Sequence, residues 1–179
     1  MNEYGVVTSP GTVRIQRLLP GPIDRVWSYL TESDKRGQWL ASGEMDLRVG
    51  GSVEHVFHNS ELTENDDPAP PKYAKHAGEV RMRGKITESE PPRLLSYTWG
   101  GDFAEGSEVR FELTLRGNKV LLVVTHRRLA DHDEVIGVAA GWHTHLDILA
   151  DRLDGRVPAG FWATHSRLEA EYQQRIMAA

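Results

Sequence analysis

The sequence predicts one α+β domain in which a curved antiparallel sheet grips a long C-terminal helix. Three observations point there. Runs of alternating apolar and polar residues recur from residue 12 to residue 126, joined mostly by short turns, as in a meander with one buried face. A stripe with the 3.6-residue period then continues through residues 134–153. The 179 residues, 39% hydrophobic and 26% charged, suit one domain with a sizeable core.

Residues 1–11, ending in Ser9-Pro10-Gly11, read as a loose lead-in to the domain. Thr12 to Leu19 alternates and predicts a strand, with Val13, Ile15 and Arg17 on one side. Pro20-Gly21-Pro22 stops it, and Pro22 suits the first turn of a helix, where a missing N–H costs nothing. Ile23, Val26, Trp27 and Leu30 give that helix one apolar face. Thr31-Glu32-Ser33-Asp34 has capping-box spacing and predicts the start of a second short helix.

Gly50-Gly51 marks a turn or bulge before a strand over Ser52 to His58, with Val53, His55 and Phe57 sharing a face. Residues 59–76, rich in Asn, Asp, Glu and Pro, read as a loop that is long for a compact domain. Strands are predicted at Gly78 to Glu88, Leu94 to Trp99, Glu108 to Leu115 and Val120 to His126, the last two joined by a tight turn at Gly117-Asn118. Asp131 and Glu134 are spaced to cap the long helix over 134–153, and Asp154-Gly155 ends it. After a hinge at Pro158-Ala159-Gly160, residues 161–177 form another amphipathic helix with Leu168, Tyr172 and Ile176 at four-residue spacing.

Composition narrows the function. A formal charge of −5 with no concentrated basic run argues against nucleic acid as partner. The absence of cysteine removes disulfides and thiolate chemistry and is compatible with a reducing cytoplasm. No apolar run is long enough for membrane insertion, and the N-terminus lacks a signal-peptide pattern, so a cytoplasmic location is expected. No cofactor or phosphate loop is indicated, because Gly50-Gly51 and Gly100-Gly101 lack the Gly-Lys-Ser/Thr ending. There is no Gly-x-Ser-x-Gly elbow. His143 and His145 sit two apart on a helix and point about 200° apart, so they cannot chelate one metal; no metal site is expected.

The order of elements and their residues resembles the START-like, or SRPBCC, superfamily. Within it the chain is similar to homologues of the activator of heat-shock protein 90 ATPase, C-terminal domain type. The matching pieces are Pro22-Ile23-Asp24-Arg25-Val26-Trp27 through Leu30-Thr31, Trp39, Val49-Gly50-Gly51 and Gly78-Glu79-Val80. Glu90-Pro91-Pro92-Arg93-Leu94, Tyr97-Thr98-Trp99, Thr125-His126 and Gly141-Trp142 with Leu146 and Leu149 complete them, over roughly residues 12–155. The resemblance implies a helix-grip fold: about six strands around the long helix, two short helices, and here an extra terminal helix. It divides the chain into the lead-in 1–11, a START-like domain 12–157 and a helical extension 158–179. Superfamily relatives bind lipids, hormones and polyketides, and some are cyclases or hydrolases. The family name comes from a co-chaperone, which adds a chaperone as a partner to test. The long loop and the extension depart from the simplest pattern; either would cover a cavity mouth or build a dimer contact.

The inward sheet face and the long helix are expected to enclose an apolar cavity, lined by Trp39, Phe57, Met82, Tyr97, Trp99, Phe111, His126, Trp142 and Leu146. His126 and His55 fall on that face and are the candidate proton-transfer residues, set against the plainer reading of hydrogen-bonded core histidines. Asp102 and Glu105 read as solvated turn residues. The leading expectation is binding of a small hydrophobic or amphipathic molecule. The alternatives are a cyclase, dehydratase or hydrolase-like enzyme acting on such a ligand, and a co-chaperone-like interaction module. The apolar stripe of the terminal helix must be buried, in a homodimer or against its own domain.

Overall fold

A computed structural model describes residues 3–100 and 106–177. Asp102 and Glu105 lie outside the described residues. Seven strands form one antiparallel sheet: β1 (Val6–Ser9), β2 (Thr12–Pro20), β3 (Ser52–Phe57), β4 (Val80–Glu90), β5 (Leu94–Trp99), β6 (Ser107–Arg116) and β7 (Lys119–Arg127), in the order β1-β2-β7-β6-β5-β4-β3. Helices α1 (Ile23–Thr31) and α2 (Ser33–Arg36) join β2 to β3, α3 (His132–Leu153) follows β7, and α4 (Phe161–Met177) ends the described chain. The helix-grip architecture is thus as expected, with one strand more. That strand is β1, inside the segment read as a loose lead-in. All four of its residues are exposed, so no buried face left an alternation to detect.

The core is the face the alternation predicted. Val13, Ile15 and Leu19 of β2, Val109, Phe111 and Leu113 of β6, and Val120, Leu122 and Val124 of β7 are all buried. Leu115, near the end of β6, is exposed. Arg17 also points inward, where its guanidinium donates to Asp147 Oδ1 of α3 and to the Glu3 and Gln16 carbonyls. Curvature comes from β4, which pairs with β3 through Val80–Lys85 and with β5 through Ile86–Glu90, with a register shift between Ile86 and Glu88. A Cβ on Gly84 would lie 2.1 Å from the Thr98 carbonyl oxygen, so the strands can cross there only at glycine.

The predicted capping boxes fare differently. Asp131 Oδ1 accepts the Glu134 N–H at 2.9 Å, and Glu134 Oε2 accepts the Ala130 N–H at 2.7 Å, which fixes the start of α3. Thr31 caps nothing; it ends α1 and donates its hydroxyl to the Trp27 carbonyl. Glu32 precedes α2 without a side-chain cap, and the Ser33 hydroxyl accepts the Gly43 N–H. The buried Arg36 then ties this corner to β3 through the carbonyls of Thr31, Gly43 and Glu54.

The long loop and the terminal helix prove to be one assembly. Short 3-10 turns at Asn59–Glu61 and Pro71–His76 shape the loop. Between them Asp66 places its carboxylate at the start of α4, accepting the N–H groups of Trp162 (2.9 Å) and Ala163 (3.2 Å). These are first-turn donors with no partner inside the helix. A Cβ on Gly160 would sit 2.6 Å from Asp66 Oδ1, so this approach requires glycine at the hinge. Thr63 Oγ1 accepts the Phe161 N–H, Ser60 Oγ accepts the Trp162 indole N–H, and Glu169 accepts from Lys72 and Tyr73. Phe161, Trp162, Leu168 and Tyr172 are buried against the domain, so the apolar stripe of α4 is satisfied within the chain. No helix among the described residues is long and apolar enough to cross a membrane.

Because Asp66 caps α4 from a distant part of the chain, its removal affects two elements at once. Asp66→Ala should lower stability by about 1–2 kcal/mol in urea unfolding, the usual cost of a lost cap. Amide exchange at Trp162 and Ala163 should accelerate ahead of the α3 amides. Unchanged exchange at those two positions would show that the loop does not hold the helix.

Candidate functional site

A pocket of about 130 Å³ lies between the curved sheet and α3, beneath the loop–α4 assembly. Phe57, Val80, Met82, Trp99 and His126 reach it from the sheet. Gly137, Val138, Gly141, Trp142 and His145 line it from α3, where the two glycines, four apart on one face, leave room for it. A Cβ on Gly141 would meet nothing within 4 Å. The cover contributes Asn59, Tyr73 and His76 from the loop and Phe161, Trp162 and His165 from α4.

Of the residues expected to line a cavity, Phe57, Met82, Trp99, His126 and Trp142 do reach the pocket. Trp39, Tyr97, Phe111 and Leu146 are placed in the solid core and do not. Trp39 donates its indole N–H to the Tyr29 carbonyl at 2.7 Å, and Phe111 packs edge-on behind Trp142 at 5.5 Å. All four are buried in the core cluster, away from the pocket lining.

The pocket wall is organised by one buried hydrogen-bond chain. Trp142 donates its indole N–H to His126 Nδ1 at 2.9 Å. Indole only donates, so Nδ1 is the lone-pair nitrogen and the proton of the neutral ring sits on Nε2. Nε2–H then donates to Ser107 Oγ at 2.7 Å. Burial holds the His126 pKa at about 3. Trp99 stands edge-on to His126 at 5.5 Å and against Trp142 at 5.4 Å.

His55 lies outside the pocket lining, fully buried. Its Nε2 is 3.2 Å from the Tyr97 hydroxyl, and Nδ1 has no partner. Burial, the charge of Arg36 and the nearby His145 press its pKa well below the ordinary value. Neither candidate is therefore a base near neutral pH.

Three histidines not named as site candidates line the pocket as well: His76, His145 and His165. His145 Nδ1 is 2.8 Å from the Trp39 carbonyl, which accepts, so Nδ1 carries the proton and Nε2 is a lone pair. His165 arrives from α4, with Nδ1 3.6 Å from the Glu169 carboxylate. The expectation that His143 and His145 diverge holds: His143 Nδ1 is 2.8 Å from the Tyr172 hydroxyl and Nε2 is 3.5 Å from Asp147, away from the pocket. Burial lowers the pKa of His143, His145 and His165 to about 4 in each case. Among the described residues no group of three histidine or carboxylate side chains is placed to hold a metal ion. His145 was legible only in part, since its period fits the helix stripe; the extension was read as covering a cavity mouth or building a dimer contact, but nothing in its pattern singled out His165.

A sheet gripping one long helix, with a covered pocket between them, defines a START-like helix-grip protein. Residues 20–154 match the family described as Activator of Hsp90 ATPase homolog 1-like protein, and the chain belongs to that family. A solution structure of a protein from Bordetella parapertussis is 43% identical, with a TM-score of 0.81, covering 97% of this chain and 91% of that one. Such coverage takes in α4 as well as the family region. The crystal structure of CalU16 from Micromonospora echinospora is 23% identical, with a TM-score of 0.67 over 93% of this chain and 86% of that one. The Aha1 dimer from Colwellia psychrerythraea is 17% identical, with a TM-score of 0.58 over 79% and 95%. These last two show the fold alone. No curated protein matches the chain.

The buried histidines make stability depend on pH with a definite sign. Each takes up its proton near 6.5 when unfolded but only near 4 or below when folded. The unfolded chain therefore binds more protons between those values, and stability falls as pH drops from about 6.5 toward 4. Each group contributes up to about 1.4 kcal/mol per pH unit, so a few suffice to exhaust a stability of about 5–15 kcal/mol. The urea midpoint should drop steeply between about pH 6.5 and 5, before most carboxylates titrate. A midpoint flat over that range would mean that the histidines titrate freely.

Proposed function

We propose that the protein binds a small hydrophobic or amphipathic molecule in the pocket between the sheet and α3. The carrying observation is the pocket itself, walled by Phe57, Trp99 and Trp142 and roofed by Tyr73, Phe161 and Trp162. At about 130 Å³ it is close to the roughly 150 Å³ known to admit a benzene ring, so one ring fits the closed form. An enzyme reading would need an acid or base in the pocket; His126 has both nitrogens engaged and His55 lies outside. The co-chaperone reading rests on the family description, and the homodimer reading on the dimeric Colwellia relative, since α4 buries its apolar face on its own domain. The proposed compartment is the cytoplasm, consistent with the cysteine-free sequence.

Native mass spectrometry of protein purified from its own host should reveal a retained small molecule. Trp142→Phe removes the indole and leaves His126 Nδ1 without a donor, at a cost of about 1–3 kcal/mol in stability. Retention should fall at least severalfold in this variant while the protein stays folded. Full retention by a folded Trp142→Phe protein would place the ligand elsewhere.

A further inference from the structure

The polar groups around the pocket are nearly all committed. The Trp142 indole N–H goes to His126, the Trp162 indole N–H to Ser60, and the Tyr73 hydroxyl to Glu169. His126 spends both nitrogens on Trp142 and Ser107. What remains is His76, whose Nδ1 is buried without a partner among the described residues, and three acceptors. His145 is only 7% exposed, and its proton is fixed on Nδ1 by the Trp39 carbonyl. Its Nε2 lone pair has no partner among the described residues. His165 is 5% exposed and turns Nδ1 toward Glu169. Burial opposes ionisation of that carboxyl, but Lys72 and Tyr73 outweigh it and keep it charged. A carboxylate facing Nδ1 favours the proton there and leaves a second lone pair on Nε2. The two imidazoles flank Phe161, with centroids 4.9 and 5.7 Å from its ring. Asn59 Oδ1, at the loop side of the same pocket, is a third buried acceptor without a partner.

An apolar pocket with His145 Nε2, His165 Nε2 and Asn59 Oδ1 as spare acceptors favours a ligand that donates. We propose that the ligand is a small aromatic compound bearing an O–H or N–H donor, a phenol being the simplest, held by His145 Nε2 and His165 Nε2 against the tryptophan wall. This rests on the pocket-binding reading above and sharpens it to a ligand class. A purely hydrocarbon ligand would leave the buried lone pairs unsatisfied, and an anion would meet them as repulsive partners. Ring stacking on Trp99 and Trp142 supplies the apolar part of the affinity.

The test is a parallel titration of the wild-type protein with phenol, anisole and toluene. Tryptophan fluorescence reads occupancy, and the ¹⁵N shifts of the histidine side chains read hydrogen bonding. Phenol should bind about tenfold more tightly than anisole, the worth of one buried hydrogen bond. The Nε2 resonance of His145 should move with phenol and not with anisole. His165→Leu, which breaks no hydrogen bond in the protein, should erase about half of that preference in free-energy terms, a roughly threefold loss in the phenol-to-anisole affinity ratio. Equal affinity for all three probes, with no shift at either Nε2, overturns the donor assignment while leaving the pocket as a binding site. Failure of all three to bind overturns the pocket reading itself.

Discussion

The Trp142–His126 hydrogen bond is the joint on which the rest of the site depends. It links the middle of α3 to the end of β7, and through Ser107 it reaches the start of β6. A grip of sheet on helix built from apolar contacts alone tolerates sliding, because such contacts are non-directional. A buried N–H paired with one ring nitrogen fixes rotation and height together, since breaking it strands two polar groups in a medium that offers no substitute. With Trp142 held there, Phe111 packs behind it, Trp99 packs beside it, and the glycines at 137 and 141 face open space.

Much of the fold was legible because burial writes a period into the chain. β2, β6 and β7 alternate because one face is buried, and α3, buried around most of its circumference, still carries an apolar stripe of 3.6-residue period. β1 escaped because an exposed edge strand has no such face. The corner at Thr31–Asp34 was misread for a different reason. Capping-box spacing names residues that can cap, but the helix boundary fell one residue later and gave Thr31 to the preceding helix.

The site was legible only where it coincided with the inward face. Alternation finds which side chains point in; it does not find where the two layers separate. Trp39, Tyr97, Phe111 and Leu146 are buried away from the pocket, whereas Phe57, Met82, Trp99 and Trp142 line it. The cover of the pocket comes from the loop and α4, whose mutual docking turns on Asp66 reaching the helix start across roughly a hundred residues of chain. A carboxylate among other polar loop residues, and a glycine at a hinge, carry no local mark of that pairing. Only the spatial meeting of Asp66 and Gly160 gives them a role.

The burial that lowers the pKa of these histidines also sets what they can do in the proposed binding pocket. A general base works best with a pKa near the operating pH, and the histidines around this pocket sit far below it because burial disfavours the charged ring. A neutral imidazole in an apolar wall is nonetheless a strong acceptor, since its lone pair lacks competing water and its tautomer is set by the partner on the other nitrogen. The Trp39 carbonyl performs that service for His145, and the Glu169 carboxylate does so for His165. Burial thus converts residues that would be proton shuttles in water into fixed acceptors. In the proposed complex, a ligand donor would satisfy lone pairs that burial leaves without water.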